Sequence, residues 1–164
     1  MGSGWGARCY GVGRRGAARC YETGVIVSLH AATGATAGAA VRSPVAAALL
    51  GVPLHLAGDR VPHRDIHDRR FEIGSGIAIV ALLAARRGLT DAATVGALAA
   101  CAPDIEHVVR LPRPGGSKLF HGRRGWHREG GLSTATQLLL AGVLIGRLMT
   151  KPMTRSTTEV RFDG

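Results

Sequence analysis

The apolar runs of this 164-residue chain are built mainly from small side chains, and their apolar and polar positions do not alternate. Only 4% of the residues are aromatic, and 24 are glycine. Half-buried strands alternate with a period of two and favour β-branched and aromatic residues, so the pattern argues against a sheet. It predicts an all-α fold, a small bundle of about five helices. We expect helices at residues 24–41, 45–58, 73–87, 92–102 and 131–149.

Residues that favour helix ends mark these boundaries. Ser43 offers an N-cap hydroxyl before a proline at the first helical position, and Thr90-Asp91 offers a cap for the fourth helix. Residues 1–23 are rich in glycine and arginine and lack the apolar core of a secretory signal. Residues 150–164 are polar. We therefore expect disordered tails at 1–23 and 150–164 around a helical metal-site domain at 24–149.

The apolar runs also bear on contact with a membrane. A helix that crosses the hydrocarbon core needs about 20 apolar residues. Residues 131–149 approach that length and residues 24–41 are marginal. His30, Gly34 and Gly38 recur every four residues, and such small-residue stripes allow the close helix packing that is common in lipid. We therefore favour a membrane-embedded or membrane-associated protein with a transmembrane helix over a soluble helical bundle.

The formal net charge of +10 comes mostly from arginine. This sign suits an anionic lipid surface or a nucleic acid. The arginines are scattered through loops and tails without interleaved aromatic residues, so nucleic acid ranks below the membrane as a partner. Cys9, Cys20 and Cys101 form no CxxC pair, which argues against a disulfide scaffold and a cysteine zinc site.

Carboxylates and imidazoles collect where the predicted helices end. His55 and Asp59 are four residues apart and Asp104 and His107 are three apart, so each pair shares a helix face. Neutral imidazole and carboxylate bind Zn²⁺ and also suit Mn²⁺ or Fe²⁺. The candidate metal ligands are His30, His55, Asp59, His63, Asp104, His107, His121 and His127.

These ligands would suffice for one or two divalent ions, with zinc favoured. Two ions could clamp the attacking and leaving oxygens of a phosphoester, with Asp59 or Asp104 as the bridging carboxylate. Glu106 has two interpretations of equal weight, a catalytic general base that activates water or an exposed helix residue. The competing interpretation of the whole set is a row of solvated helix ends. We expect residues 67–70 to form a solvated charged loop.

Four segments resemble the membrane-bound metal-dependent hydrolase family of bacterial inner membranes, which is often linked with zinc-dependent phospholipase C-like enzymes. These are the stripe that begins at His30, the GD-x-x-PH-x-D segment at 58–65, the PD-x-E-H segment at 103–107, and the histidine loop at 121–127. That loop is one residue longer than is usual in the family. The resemblance implies a multi-helix membrane protein of the bacterial inner membrane with metal-hydrolase activity. It implies as ligands His30, Asp59, Asp104, His107, His121 and His127.

The leading hypothesis is therefore a metal-dependent hydrolase of a phosphoester, including a lipid, that uses metal-activated water held by histidine and aspartate. Arg123, Arg124 and Arg128 would suit an anionic small-molecule or lipid substrate, although a solvated loop explains them equally well. The alternative is a non-enzymatic small helical membrane protein whose polar cluster is structural or binds metal without turnover. A basic nucleic-acid-binding helical protein is a third, weaker hypothesis.

Overall fold

The computed structural model describes residues 26–64, 66, 68–109, 119–120 and 131–150. This part of the chain is helical and contains no β-strand. The helices are α1 (Val27–Val41), α2 (Pro44–Gly58), α3 (Arg69–Arg87), α4 (Ala92–Cys101), a 3-10 turn (Ala102–Asp104), the one-turn α5 (Ile105–Val108) and α6 (Thr134–Thr150). The prediction of a small all-α bundle is confirmed. The tails predicted at 1–23 and 150–164 lie outside the described residues, except for Thr150, which is the last residue of α6.

Two of the helices begin at the caps expected from the sequence. The Ser43 hydroxyl accepts a hydrogen bond from the backbone N–H of Ala46 at 3.3 Å, at the start of α2. The Asp91 carboxylate accepts one from the N–H of Ala93 at 2.9 Å, at the start of α4. Each cap satisfies an N–H group that has no partner within its own helix, which stabilises the helix by about 1 kcal/mol.

The start of α3 differs from the prediction. Asp68 is its N-cap and accepts hydrogen bonds from the N–H groups of Arg70 and Phe71 at 2.8 and 3.3 Å. The helix therefore begins at Arg69 rather than at residue 73, and the expectation of a charged loop at 67–70 is wrong for Arg69 and Arg70. His67 lies outside the described residues, and Asp68 is exposed just before the helix. The physical reason is that a capping aspartate stabilises the first turn of a helix even where the residues of that turn are charged.

Small residues allow α1 to lie at the centre of the bundle, in contact with α2, α3, α4 and α6. A Cβ added to Gly34 would overlap the carbonyl oxygen of Gly96 and lie 2.5 Å from the Cβ of Ala100, both in α4. A Cβ added to Gly51 in α2 would likewise overlap the Cβ of Ala99 in α4. The buried core between the helices comprises Ala31, Ala32, Ala35, Leu83, Ala93, Ala97, Ala141, Ile145 and Leu148. Close packing of small side chains thus fixes where α1, α2 and α4 end relative to one another.

The segment after α2 pairs with the segment before α6 through a single parallel bridge. The N–H of Arg64 donates to the carbonyl of Leu132 at 2.9 Å, and the N–H of Leu132 donates to the carbonyl of Pro62 at 3.0 Å. Gly131 has φ +71, and a Cβ there would overlap the Pro62 carbonyl oxygen. Glycine is required at this position because it has no side chain to clash in this conformation.

The expectation of a transmembrane helix is wrong for the part of the chain that the structure describes. None of its helices is both long enough and apolar enough for a membrane crossing. The longest apolar run of the sequence falls in α6, which has 17 residues. At 1.5 Å per residue it would span about 26 Å, less than the hydrocarbon core of about 30 Å. The 19-residue α3 is longer, but it carries arginines at both ends and Glu72 in its first turn.

Candidate metal centre

Four candidate ligands from three separate helical segments meet inside the bundle, and we call them the His–Asp cluster: His30, His55, Asp59 and Asp104. His30 comes from α1 and Asp104 from the 3-10 turn that follows α4. His55 lies in the last turn of α2 and Asp59 directly follows that helix. His55, four residues before Asp59, therefore lies on the same face. The small residues that draw α1, α2 and α4 together thus bring the cluster together.

The polar atoms of the cluster converge at short distances. Asp59 contacts both imidazoles, with Oδ1 3.2 Å from His30 Nε2 and Oδ2 3.3 Å from His55 Nε2. Asp104 Oδ1 lies 3.7 Å from His55 Nε2. The two imidazole rings stack with their centroids 3.9 Å apart. One ligand atom from each of His30, His55 and Asp104 lies within 4.8 Å of the others.

A backbone hydrogen bond sets the tautomer of His55. Its Nδ1 lies 2.8 Å from the carbonyl oxygen of Ala100. A carbonyl can only accept, so Nδ1 carries the proton and donates it. In the neutral ring, Nε2 then presents a lone pair towards the carboxylates of Asp59 and Asp104. A carbonyl that orients the ring in this way is typical of a metal-binding histidine.

His30 is held uncharged at neutral pH. Burial, which outweighs the nearby carboxylate of Asp59, lowers the pKa of His30 from 6.5 to about 4. Its Nε2 is buried and makes no hydrogen bond of normal geometry among the described residues, although Asp59 Oδ1 is only 3.2 Å away. An uncharged imidazole cannot neutralise a buried carboxylate. A bound cation would interact favourably with both groups.

The spacing of the cluster fits a small divalent ion. Two ligands that each lie about 2.0–2.1 Å from zinc at the tetrahedral angle are about 3.3–3.4 Å apart. The contacts of Asp59 Oδ1 with His30 and of Asp59 Oδ2 with His55, at 3.2 and 3.3 Å, are close to that separation, and the contact of Asp104 with His55 is longer, at 3.7 Å. The donors are nitrogen and oxygen, which also suit Mn²⁺ or Fe²⁺. The described residues thus supply enough ligands of the right type for at least one ion.

His63 lies near the cluster but outside it. It is 2% exposed, and its Nδ1 donates to the carbonyl oxygen of Val61. It lines a cavity of about 150 Å³ together with His30. Its proximity is also one of the smaller causes of the lowered pKa of His30. The structure thus places His63 next to the cluster, across a cavity, and its role as a ligand stays a prediction.

Glu106 is buried, so its interpretation as an exposed helix residue is wrong. Its side chain is 5% exposed. Its Oε2 accepts hydrogen bonds from the N–H groups of Leu119 and Phe120 at 2.9 and 3.3 Å. The carboxylate therefore holds residues 119–120 against α5, because two backbone donors stabilise a buried negative charge. The predicted role of Glu106 as a general base is not tested by these contacts.

Three predicted ligands cannot be located relative to the cluster. The side chain of His107 lies outside the described part of the chain, although its backbone belongs to α5. His121 and His127 also lie outside the described residues, and so do the arginines at 123, 124 and 128. The roles proposed for them from the sequence stay predictions.

Sequence reasoning missed two groups of the site. The carbonyl of Ala100 orients His55 across 45 residues of chain, and a backbone group leaves no sequence pattern. Gln137 of α6, which is fully buried, lines the cavity beside His30. Its polar side chain in an apolar helix was a visible irregularity, but only the fold shows what it faces. Cys101 packs against the core, and burial, with the charge of Asp104, raises the pKa of its thiol to about 12.

The comparisons with known proteins identify no relative. No protein-family model matches the sequence, and no curated protein or solved structure is significantly similar to it. The functional argument therefore depends on the geometry of the site.

Proposed function

We propose that this protein is a metal-dependent hydrolase that cleaves a phosphoester, with zinc as the favoured ion. The convergence of two imidazoles and two carboxylates from three helical segments supports it most strongly. His30, His55 and Asp59 are each no more than 2% exposed. Burying ionisable groups together is costly unless they are paired or bind a metal. A divalent cation would offset that cost.

The cavity beside His30 supports a catalytic site over a purely structural one. Structural zinc sites are closed by four protein ligands, whereas catalytic sites keep a position for water or substrate. A cavity of about 150 Å³ adjoins the cluster on the side of His30. A divalent ion bound here would lower the pKa of a bound water to about 7. The protein side chains would hold the ion and orient the phosphoryl group.

In the proposed reaction, a water oxygen forms a bond to phosphorus and the bond between phosphorus and the alcohol oxygen breaks. One proton of the water is lost to a base, and the departing alcohol oxygen takes up a proton. The net charge of +10 favours an anionic substrate of this kind. A soluble phosphoester and a phospholipid share this chemistry. Membrane lipid as partner and location at the bacterial inner membrane belong to the same proposal.

The test compares two substitutions that remove the same charge. Asp104→Asn removes one carboxylate of the cluster. Asp68→Asn is the matched control, since Asp68 is an exposed N-cap of α3 and asparagine caps equally well. We expect the wild type and the control to retain zinc through purification without chelator and to hydrolyse bis(4-nitrophenyl) phosphate. We expect Asp104→Asn to lose both properties while its helical circular dichroism is unchanged.

Two substrates distinguish the possible sources of the phosphoester. Release of soluble phosphate-containing product from phosphatidylcholine vesicles would identify a lipid substrate. Turnover of bis(4-nitrophenyl) phosphate without turnover of vesicles would identify a soluble one. A wild-type protein that binds zinc but hydrolyses neither would refute the hydrolase proposal. Equal activity in Asp104→Asn and Asp68→Asn would refute the role of the cluster.

The depth of the cluster favours a second candidate function, a metal-binding protein without turnover. His55 is fully buried, which resembles a structural site more than an open catalytic one. In that case zinc would raise the midpoint of thermal unfolding strongly, and no phosphoester would be hydrolysed. Rapid exchange of the bound zinc with added isotope-labelled zinc would argue against this candidate.

A further inference from the structure

The cavity beside the His–Asp cluster has mainly apolar walls and, apart from His30 of the cluster itself, one polar side chain with an atom that lacks a hydrogen bond among the described residues. It lies between α1, the end of α2 and the start of α6, and Leu29, Val61 and Leu132 form part of its wall. His30, which belongs to the cluster, and His63 also line the cavity. Val61 is 46% exposed, so the cavity reaches the protein surface there.

Gln137 supplies that polar group, and its hydrogen bonds set the orientation of its amide. Its Nε2 donates to the carbonyl oxygen of Arg64 at 2.7 Å and to that of Leu132 at 3.4 Å. Both partners can only accept, so the nitrogen must face them and Oε1 must face away. Gln137 is 0% exposed, and its Oε1 makes no hydrogen bond within the described part of the chain. A buried acceptor in this state requires a donor from a ligand or a water.

The chemistry of the cavity is unsuited to a phosphoryl group. A phosphate presents acceptor oxygens and negative charge, and here it would meet an acceptor oxygen and apolar walls. A mainly apolar group with one hydroxyl or amine donor would satisfy Gln137 and displace water from the walls. The volume of about 150 Å³ sets its size. An apolar cavity of about 150 Å³ in another protein binds benzene.

We propose that this cavity binds the alcohol portion of the phosphoester, a small and mainly apolar group of about benzene size that donates one hydrogen bond to Gln137 Oε1. This inference rests on the proposed function, because it assigns the phosphoryl group to the cluster and the alcohol portion to the adjoining cavity. Because the esterified oxygen carries no proton, Gln137 then selects alcohol portions that bear a second donor, a further hydroxyl or an amine.

The test measures binding of two probes of similar shape, 4-fluorophenol and 1,4-difluorobenzene, by fluorine NMR with the full chain. Only the phenol can donate a hydrogen bond. We expect Gln137→Met, which keeps the length of the side chain, to weaken 4-fluorophenol about tenfold, the usual effect of one lost hydrogen bond. We expect the same substitution to leave 1,4-difluorobenzene unchanged or bound more tightly. Equal effects on the two probes would overturn the assigned role of Gln137.

A second variant covers the possibility that Gln137→Met does not fold. Val61→Phe adds volume at the exposed rim of the cavity and should abolish binding of both probes. Val45→Phe is its matched control, since Val45 is 71% exposed in α2 and does not line the cavity. Unchanged binding in Val61→Phe would overturn the proposal.

Measuring zinc content on the same samples separates this inference from the proposed function. A wild type that binds zinc but neither probe would overturn the cavity assignment and leave the metal site standing. A wild type that binds 4-fluorophenol through Gln137 but holds no zinc would support the cavity as a binding site and refute the hydrolase.

Discussion

Replacing Gly34 by alanine should separate α1 from α4 and loosen the metal centre at the same time. The added Cβ would lie 2.5 Å from the Cβ of Ala100 and would overlap the carbonyl oxygen of Gly96. Carbon atoms in contact prefer about 3.5–4.0 Å, so the helices must move apart by about 1 Å. Overpacking of this kind costs about 1–3 kcal/mol.

The same substitution also has a stabilising effect on the helix, and a second substitution can measure that effect alone. Alanine stabilises a helix by about 1 kcal/mol relative to glycine. Gly146→Ala in α6 isolates this effect, because nothing lies within 4 Å of a Cβ added there. We therefore expect Gly146→Ala to raise the free energy of unfolding by up to about 1 kcal/mol. We expect Gly34→Ala to lower it by up to about 2 kcal/mol, the overpacking cost less the gain in helix propensity.

The assay is urea denaturation followed by circular dichroism, with and without zinc. Since His30 lies one turn before Gly34, and Ala100 orients His55, Gly34→Ala should also weaken zinc binding, whereas Gly146→Ala should not. If both substitutions stabilised the protein to the same extent, α1 and α4 would not pack as described. The argument that small residues bring the cluster together would then fail.

Three further outcomes follow from single contacts. In metal-free protein the unfolded chain takes up a proton on His30 below pH 6.5, and the folded chain does so only below about pH 4. The free energy of unfolding should therefore fall by about 1.4 kcal/mol for each unit by which the pH is lowered between 6.5 and about 4. Chemical denaturation in EDTA at several pH values would show this loss, and His30→Asn should reduce it. Glu106→Gln should weaken the hold on residues 119–120 and lower the free energy of unfolding by about 1 kcal/mol. Hydrogen exchange of those amides should rise, and unchanged exchange would contradict the contact. Gly131→Ala should lower the free energy of unfolding by about 2 kcal/mol or more, because φ is +71 and the Cβ would overlap the Pro62 carbonyl. A thermal midpoint equal to that of the wild type would refute this.

The helical fold and the shared face of His55 and Asp59 could be predicted from local patterns. Spacing of four residues placed His55 and Asp59 on one face, and Ser43 and Asp91 marked the starts of helices. These features depend only on neighbours in the chain. The contact of His30 with Asp59 joins α1 to the end of α2, so it depends on helix packing that no local pattern encodes.

The errors of sequence interpretation have equally specific causes. Counting apolar residues in 131–149 overlooked that α6 begins only at Thr134, which shortens it below the thickness of a bilayer core. Asp68 stood among arginines and was interpreted as loop, although a capping aspartate and charged first-turn residues are compatible. The buried position of Glu106 involves residues 119–120, which lie 13 and 14 positions away and which no local pattern connects to it.

The central claim is that His30, His55, Asp59 and Asp104 together hold a divalent ion. X-ray absorption at the zinc edge of the zinc-loaded protein tests it most directly. We expect nitrogen and oxygen ligands at about 2.0–2.1 Å with outer-shell scattering from at least two imidazoles, and a loss of one imidazole in His55→Gln. Failure of the protein to bind zinc, sulfur ligands at about 2.3 Å, or an unchanged spectrum in His55→Gln would contradict the claim.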